Sequence, residues 1–343
     1  MANKEAPSIW WFAFGYFACY APYSAMAKAV SKGILPSGQA PVSGFELLPA
    51  SLIASLVGML LFLVATGWWR HATRYPVLGL QIPGPTRFTF ASGLTTAAIV
   101  GTTTLAYTFD GVSIVFVMLL MRGGVLIIAP VVDLLSGRKM KWYSVVALLF
   151  SLGALIVAFG EKGGYEMKLV AAVDITVYLI SYLIRLRLMT YKAKSEDPDA
   201  NLRYFVEEQI VATPTLLLVL GVMAMIGYGE LMLAFRAGFT TFWTTSGVVP
   251  YVLVIGFLSQ GTGIFGGLIL LDKRENTFCV PVNRASSILA GVVASFILFA
   301  WLANPLPSTF QFVGAGMIVT ALMFLSIPPL VEKHRAKAAA AAK

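Results

Sequence analysis

The sequence predicts an all-α polytopic membrane protein, with ten transmembrane helices arranged as two inverted five-helix repeats. Three observations carry that expectation. The 343-residue chain is 58% hydrophobic and only 12% charged, whereas soluble domains are about a quarter charged. Apolar runs close to the roughly 20 residues that cross a bilayer recur along its whole length. Landmark residues of the first half also return in the second at a near-constant interval.

The runs follow in order. Ser8–Val30 is too long for the apolar core of a cleaved signal peptide, and more runs follow it, so it predicts a retained helix. Phe45–Gly67 carries Glu46 at its start. Phe88–Phe109 and Val112–Val132 are divided by Asp110 and Gly111, and Trp142–Gly160 follows a basic turn of Arg138, Lys139 and Lys141. The second half repeats the pattern with Met167–Met189, Tyr204–Tyr228, Val248–Leu271, Thr277–Ala300 and Ser308–Pro329. Between its second and third runs, Glu230 to Thr245 is apolar and aromatic but broken by Arg236, which predicts a short amphipathic piece along the interface. The mixed-charge stretch Tyr191 to Arg203 reads as a flexible linker, and residues 330–343 as a cytoplasmic tail without a fold role.

Charge sets the orientation. The net charge of +9 is concentrated on alternate loops. Lys4, Arg70, Arg74, Arg87, Arg138, Lys139, Lys141, Arg185, Arg187, Lys192, Lys194, Arg203, Lys273, Arg274, Lys333, Arg335, Lys337 and Lys343 share one side. The other holds only Lys28, Lys32, Lys162, Lys168 and Arg236. The positive-inside rule then places both termini in the cytoplasm, at the plasma (inner) membrane if the source is bacterial. Trp10, Trp11, Trp68, Trp69, Trp142, Trp243 and Trp301 lie at run ends or in loops, as an interfacial belt does. The basic surplus is therefore a topology signal and not a nucleic-acid footprint. Cys19 and Cys279 lie inside apolar runs, which argues against a disulfide framework, and both histidines, His71 and His334, lie in polar flanks. No cofactor or metal is expected.

The repeat gives the chain its domain plan. Asp110 precedes Arg122 by the interval that separates Asp272 from Arg284, and the same register sets Glu46 against Glu208. Gly93 falls near Gly256, Gly58 near Gly221, and GALIVA (153–158) lies over GMIVTA (316–321) with a slip of one residue. The expected units are residues 8–162 and 166–329. Five crossings are an odd number, so the second copy inserts upside down. Inverted repeats are a common basis of alternating access, with the substrate near the midplane.

With these features, the stretch MLLMRGGVLIIAPVVDLLSGRKMKWYSVVALLFSLGALIVAFG (118–160) resembles the drug/metabolite transporter superfamily. A proline-ended fourth helix there meets a short basic turn and a glycine-bearing fifth helix. The resemblance implies ten spans in a 5+5 inverted repeat, cytoplasmic termini, and a central cavity lined by spans one and six. The midspan arginine is more like the nucleotide-sugar and drug-resistance branch of solute carriers than the EamA-type exporters. Gly137-Arg138 departs from the glycine–glutamate pair of many bacterial members.

Candidate site residues follow from charge at depth. Arg122 lies about ten residues from either end of its run, where an arginine costs roughly 2.5–3.5 kcal/mol on insertion scales. Arg284 lies nearer the cytoplasmic end. Each either faces a water-filled cavity and binds an anionic substrate group, pairs with an intramembrane acid, or caps the carbonyls of a broken helix. Asp174, Tyr178, Tyr182 and Arg185 share one helical face, and Tyr16, Tyr20 and Tyr23 form a similar stripe on the first run. Asp174 could bind a proton, a cationic group or Arg122. From Ser259 to Gly267 small residues suit close packing, and Gln260 is the one member expected in a cavity. Glu46, Glu207 and Glu208 open helices, where a carboxylate favours the N-terminus or acts as a gate. Asp110 and Asp272 read as capping residues, and Pro49, Pro130, Pro214 and Pro281 as points where helices bend.

The expected function is a secondary-active transporter of a small polar, anionic or zwitterionic metabolite, driven by proton coupling or exchange. No Gly-rich phosphate loop of the ATP-binding type occurs, and no catalytic constellation suggests an enzyme. The alternatives are an exporter of cationic or amphipathic drugs, a channel, or a membrane scaffold. The expected partners are a small-molecule substrate and the lipid bilayer, as a monomer or a homodimer.

Overall fold

A computed structural model describes residues 8–37, 40–77, 80–106, 114–159, 169–194, 197, 199–244, 247–302 and 309–341. Among them are eleven α-helices: α1 (Ile9–Ser31), α2 (Gly44–Thr66), α3 (Arg87–Ala106), α4 (Ile114–Leu135), α5 (Trp142–Phe159), α6 (Leu169–Lys192), α7 (Ala200–Ile226), α8 (Gly229–Phe239), α9 (Val249–Leu271), α10 (Asn276–Leu302) and α11 (Thr309–Ala341). Each apolar run of the sequence coincides with one of them, and α8 is the short amphipathic piece expected after Glu230. Asp110, Lys162 and Lys168 lie outside the described residues.

Among the described residues, α2, α7, α9 and parts of α10 (Asn276–Ala300) and α11 (Phe312–Pro329) are long and apolar enough to cross a bilayer. Their outward faces suit lipid: Leu61, Val64, Leu218 and Met225 are all exposed. A row of large apolar side chains facing outward would be a liability in water and is ordinary in a membrane. Pro49, Pro130, Pro214 and Pro281 all lie inside helices.

Three details differ from the sequence reading. Strands β1 (Arg74–Val77) and β2 (Leu80–Pro83) form an antiparallel hairpin between α2 and α3, with Arg74 opposite Pro83 and Tyr75 opposite Ile82. The described residues of the stretch read as a flexible linker are tied down. Ala193 is fully buried, and the Lys194 ammonium donates to the Arg274 carbonyl (2.7 Å) and to Asn276 Oδ1 (3.0 Å). Arg203 reaches back to Asp197 (3.1 Å). The alanine-rich end is helical through Ala341 as a continuation of α11; alanine is the strongest helix former, so the residues after Pro329 extend the last helix.

Helix packing is specific. α1 lies against α9 and α10, and α6 against α3 and α4. α2 packs on α9, α7 on α3, α4 on α10, and α5 on α11. Glycine permits the closest of these approaches. A Cβ at Gly266 would meet the Tyr16 ring, one at Gly261 would meet Cys19, and one at Gly124 would meet Leu179. The small residues of α9 thus bring α1 close, and Gly124 lets α4 close on α6.

The basic loops gather at one end of the bundle. His71 approaches Asp199 (3.8 Å), Arg138 donates to the carbonyls of Lys273 (2.9 Å) and Arg274 (3.2 Å), and Arg187 donates to Ser136 (3.1 Å). The 3-10 turn Trp68–His71, the α4–α5 turn, the α6–α7 connection and the α9–α10 turn are therefore neighbours. At the other end, Arg236 of α8 donates to the carbonyls of Ala224 (2.7 Å) and Met225 (2.8 Å), satisfying the C-terminal turn of α7.

Candidate functional site

Two arginines and the tyrosines of two helical stripes converge in the interior. On α6, Tyr178 and Tyr182 are one turn apart, both buried, with ring centroids 4.9 Å apart. On α1, Tyr16 and Tyr20 stack at 5.5 Å, and Tyr23 meets Tyr20 edge-on at 5.8 Å. Arg122 of α4 donates from Nη2 to the Tyr20 hydroxyl (2.9 Å), with its guanidinium 6.0 Å from that ring. Arg284 of α10 lies over the Tyr182 ring at 4.9 Å and within electrostatic range of Tyr16 and Tyr178. Arg122 is also within electrostatic range of those two phenols.

The arrangement repeats. Tyr16 and Tyr20 precede Tyr178 and Tyr182 by the interval that separates Arg122 from Arg284. Arg122 meets Tyr20 and Arg284 meets Tyr182 at that same interval.

Arg284 is the less common of the buried arginines. It is 7% exposed, its Nε has no hydrogen-bond partner, and among the described residues no carboxylate forms an ion pair with it. The contrast is Arg185, three residues beyond Tyr182 on α6. Arg185 donates from Nε and Nη2 to both oxygens of Glu208 (2.8 and 2.9 Å), the bidentate fork an arginine and a carboxylate favour. Glu208 is completed by Ser92 (2.5 Å) and Thr96 (2.9 Å) of α3. Arg185 is neutralised within the fold; at Arg284 a quadrupolar ring face and phenol oxygens take the place of a counter-ion.

Asp174 lies one turn before Tyr178 on the same helix. It is 6% exposed and neither carboxylate oxygen has a hydrogen-bond partner. It does not pair with Arg122, one of the alternatives that the sequence leaves open. Gln260 is buried and occupied within the fold: its amide donates to Gln209 (3.1 Å) and its carbonyl accepts from Ser55 (2.9 Å), so it joins α2, α7 and α9. Glu46 stands in the first turn of α2, where Ser43 caps the helix.

Glu207 is fully buried and ties down the hairpin. Its Oε1 accepts from the Thr73 amide (3.0 Å) and hydroxyl (2.7 Å), and its Oε2 from the Thr86 amide (3.1 Å) and the Thr89 hydroxyl (2.6 Å). Asp133, which the sequence reading passed over, does the same for α10. Its Oδ1 accepts from the Asn276 amide (3.0 Å) and side chain (2.9 Å), and its Oδ2 from the Thr277 amide and hydroxyl (both 2.7 Å). A buried carboxylate there satisfies two orphan amides and meets the positive end of the helix dipole. A sequence signal existed: an acid at the end of an apolar run, and an Asn-Thr pair opening another.

No family model and no curated protein matches the chain. A solved structure described only as "Crystal structure of protein" superposes with a TM-score of 0.56 at 14% identity, over 92% of this chain and 96% of that one. At that identity the likeness is one of fold alone.

Proposed function

We propose that the chain is a secondary-active transporter of ten spans in two inverted five-helix repeats, resembling the drug/metabolite transporters. In this reading it carries a small anionic or zwitterionic metabolite by alternating access, with the anionic group bound at Arg284 and the surrounding tyrosines. The observation that carries the reading is the buried Arg284 guanidinium without a carboxylate partner, beside an Arg185 that has one. A guanidinium held at depth is costly unless something offsets it, and a substrate anion offsets it only while bound. Tyrosine rings around it provide both a stacking surface and hydroxyls for hydrogen bonding.

The packing partners support the repeat. Exchanging α1–α5 for α6, α7, α9, α10 and α11 turns the largest contacts among these ten helices into one another: α1 on α9 becomes α6 on α3, α1 on α10 becomes α6 on α4, and α2 on α9 becomes α7 on α3. The gathered basic loops support cytoplasmic termini. Energy would come from a proton gradient or exchange.

Purified protein in liposomes tests the class. Saturable counterflow of radiolabelled gluconate, succinate or glycerol 3-phosphate, accelerated by the same anion on the far side, is the expected result. Single-channel currents would select a channel, and uptake of cationic dyes in place of anions would select a drug exporter.

A further inference from the structure

We propose that Asp174 is the proton-binding site that couples anion movement to the proton gradient, making the carrier a proton–anion symporter. The inference rests on the reading of Arg284 as the anion site and adds the coupling ion, which that reading leaves open.

Asp174 is buried without a polar partner. Its two oxygens are buried and make no hydrogen bond, and an ionised carboxylate so placed has neither water nor a donor to stabilise it. Its position is about one and a half turns into α6, at the end of the helix remote from Lys192 and the basic loops. On α6 the next ionisable group is Tyr178. From α3 the charged group among the described residues is Arg87, at the basic end. From α4 they are Arg122 and Asp133; Arg122 makes no hydrogen bond or ion pair with Asp174, and Asp133 is engaged with α10. From α7, Arg203, Tyr204, Glu207 and Glu208 all lie in its first turns at the basic end, and α9 offers only Tyr251. No cation among the described residues pairs with Asp174, and a proton is the partner assigned to it here.

The site is also contiguous with the anion site. Asp174, Tyr178 and Tyr182 follow one another on one face of α6, the two rings are 4.9 Å apart, and Arg284 lies 4.9 Å from the second ring. A proton from water on the non-basic side forms an O–H bond at the Asp174 carboxylate, and an anion enters at Arg284. The pair then leaves together: on the other side the O–H bond breaks, the proton returns to water and the carboxylate is regenerated. A monoanion carried this way moves no net charge, so the protonated acid and the anion-filled arginine are the combination least costly to carry through the membrane.

The test uses reconstituted full-length protein, the counterflow anion and pyranine trapped in the liposomes. For the wild type, an inward proton gradient drives anion accumulation above equilibrium, and adding the anion acidifies the interior. Asp174→Asn, isosteric and unable to titrate, is expected to lose both responses while still exchanging anion at equal pH. Asp174→Glu is expected to restore both with a shifted pH midpoint. Accumulation and acidification that persist in Asp174→Asn would overturn the proposal, as would folded Asp174→Asn protein that exchanges nothing. Absence of anion counterflow in the wild type would instead remove the reading of Arg284 itself.

Discussion

Replacing Asp133 with alanine should release the first turn of α10 and destabilise the whole protein. The carboxylate is fully buried and accepts four hydrogen bonds, two of them from the backbone amides of Asn276 and Thr277. An amide left buried without a partner costs about 1–3 kcal/mol. Two such amides, less the relief of no longer burying a charge, give a loss of about 3 kcal/mol. With an unfolding entropy of roughly 2.1 cal/mol/K per residue over the chain, that lowers the Tm by about 4 °C. Asp133→Asn is the sharper variant. Its amide oxygen can still accept from one residue, but its NH2 group then faces the Thr277 amide, donor against donor, so an intermediate loss is expected. The comparison is Asp272→Ala, which removes a partly exposed ion pair to Arg274 (3.0 Å) and an exposed hydrogen bond from the Arg274 amide (3.1 Å); the pair is worth about 0–1 kcal/mol and the freed amide can turn to water. Thermal unfolding of purified protein in detergent, followed by intrinsic fluorescence, reads all three. If Asp133→Ala melted within error of Asp272→Ala, the reasoning about buried helix caps would be refuted.

Arg185→Met should cost about 3–5 kcal/mol by leaving Glu208 charged and buried, while Arg185→Met with Glu208→Leu should recover most of that loss; chemical denaturation compares the two. Glu207→Ala should free the hairpin from α7, which hydrogen exchange would register as faster exchange of the Thr73 and Thr86 amides with little change in α10.

The helices were legible because hydropathy is a bulk property: a run of apolar residues of membrane-crossing length leaves few other structures for its backbone. The stripes on α1 and α6 were legible for the same reason, since helical periodicity alone sets Tyr16 with Tyr20, and Tyr178 with Tyr182. Partners distant in sequence were not. Gln260 could be recognised as a polar residue in an apolar helix, but its partners Ser55 and Gln209 are chosen by how α2 and α7 pack on α9. Glu207 and Glu208 are adjacent and look alike in sequence. The helix turn points one to the hairpin and the other to Arg185. The hairpin itself is four residues per strand with a proline in each, too short and too proline-marked to announce a sheet. Asp133 was hidden at the boundary of an apolar run, where an acid reads as the beginning of solvent.

The role of Arg284 as the anion site is most directly tested by counterflow of gluconate, succinate and glycerol 3-phosphate with Arg284→Gln and Arg284→Lys. Both variants are first checked for unchanged Tm and a monodisperse profile. Arg284→Gln removes the charge and should abolish counterflow; Arg284→Lys keeps a point charge without the planar fork and should retain transport with a higher KM. Wild-type counterflow rates in folded Arg284→Gln would contradict the account.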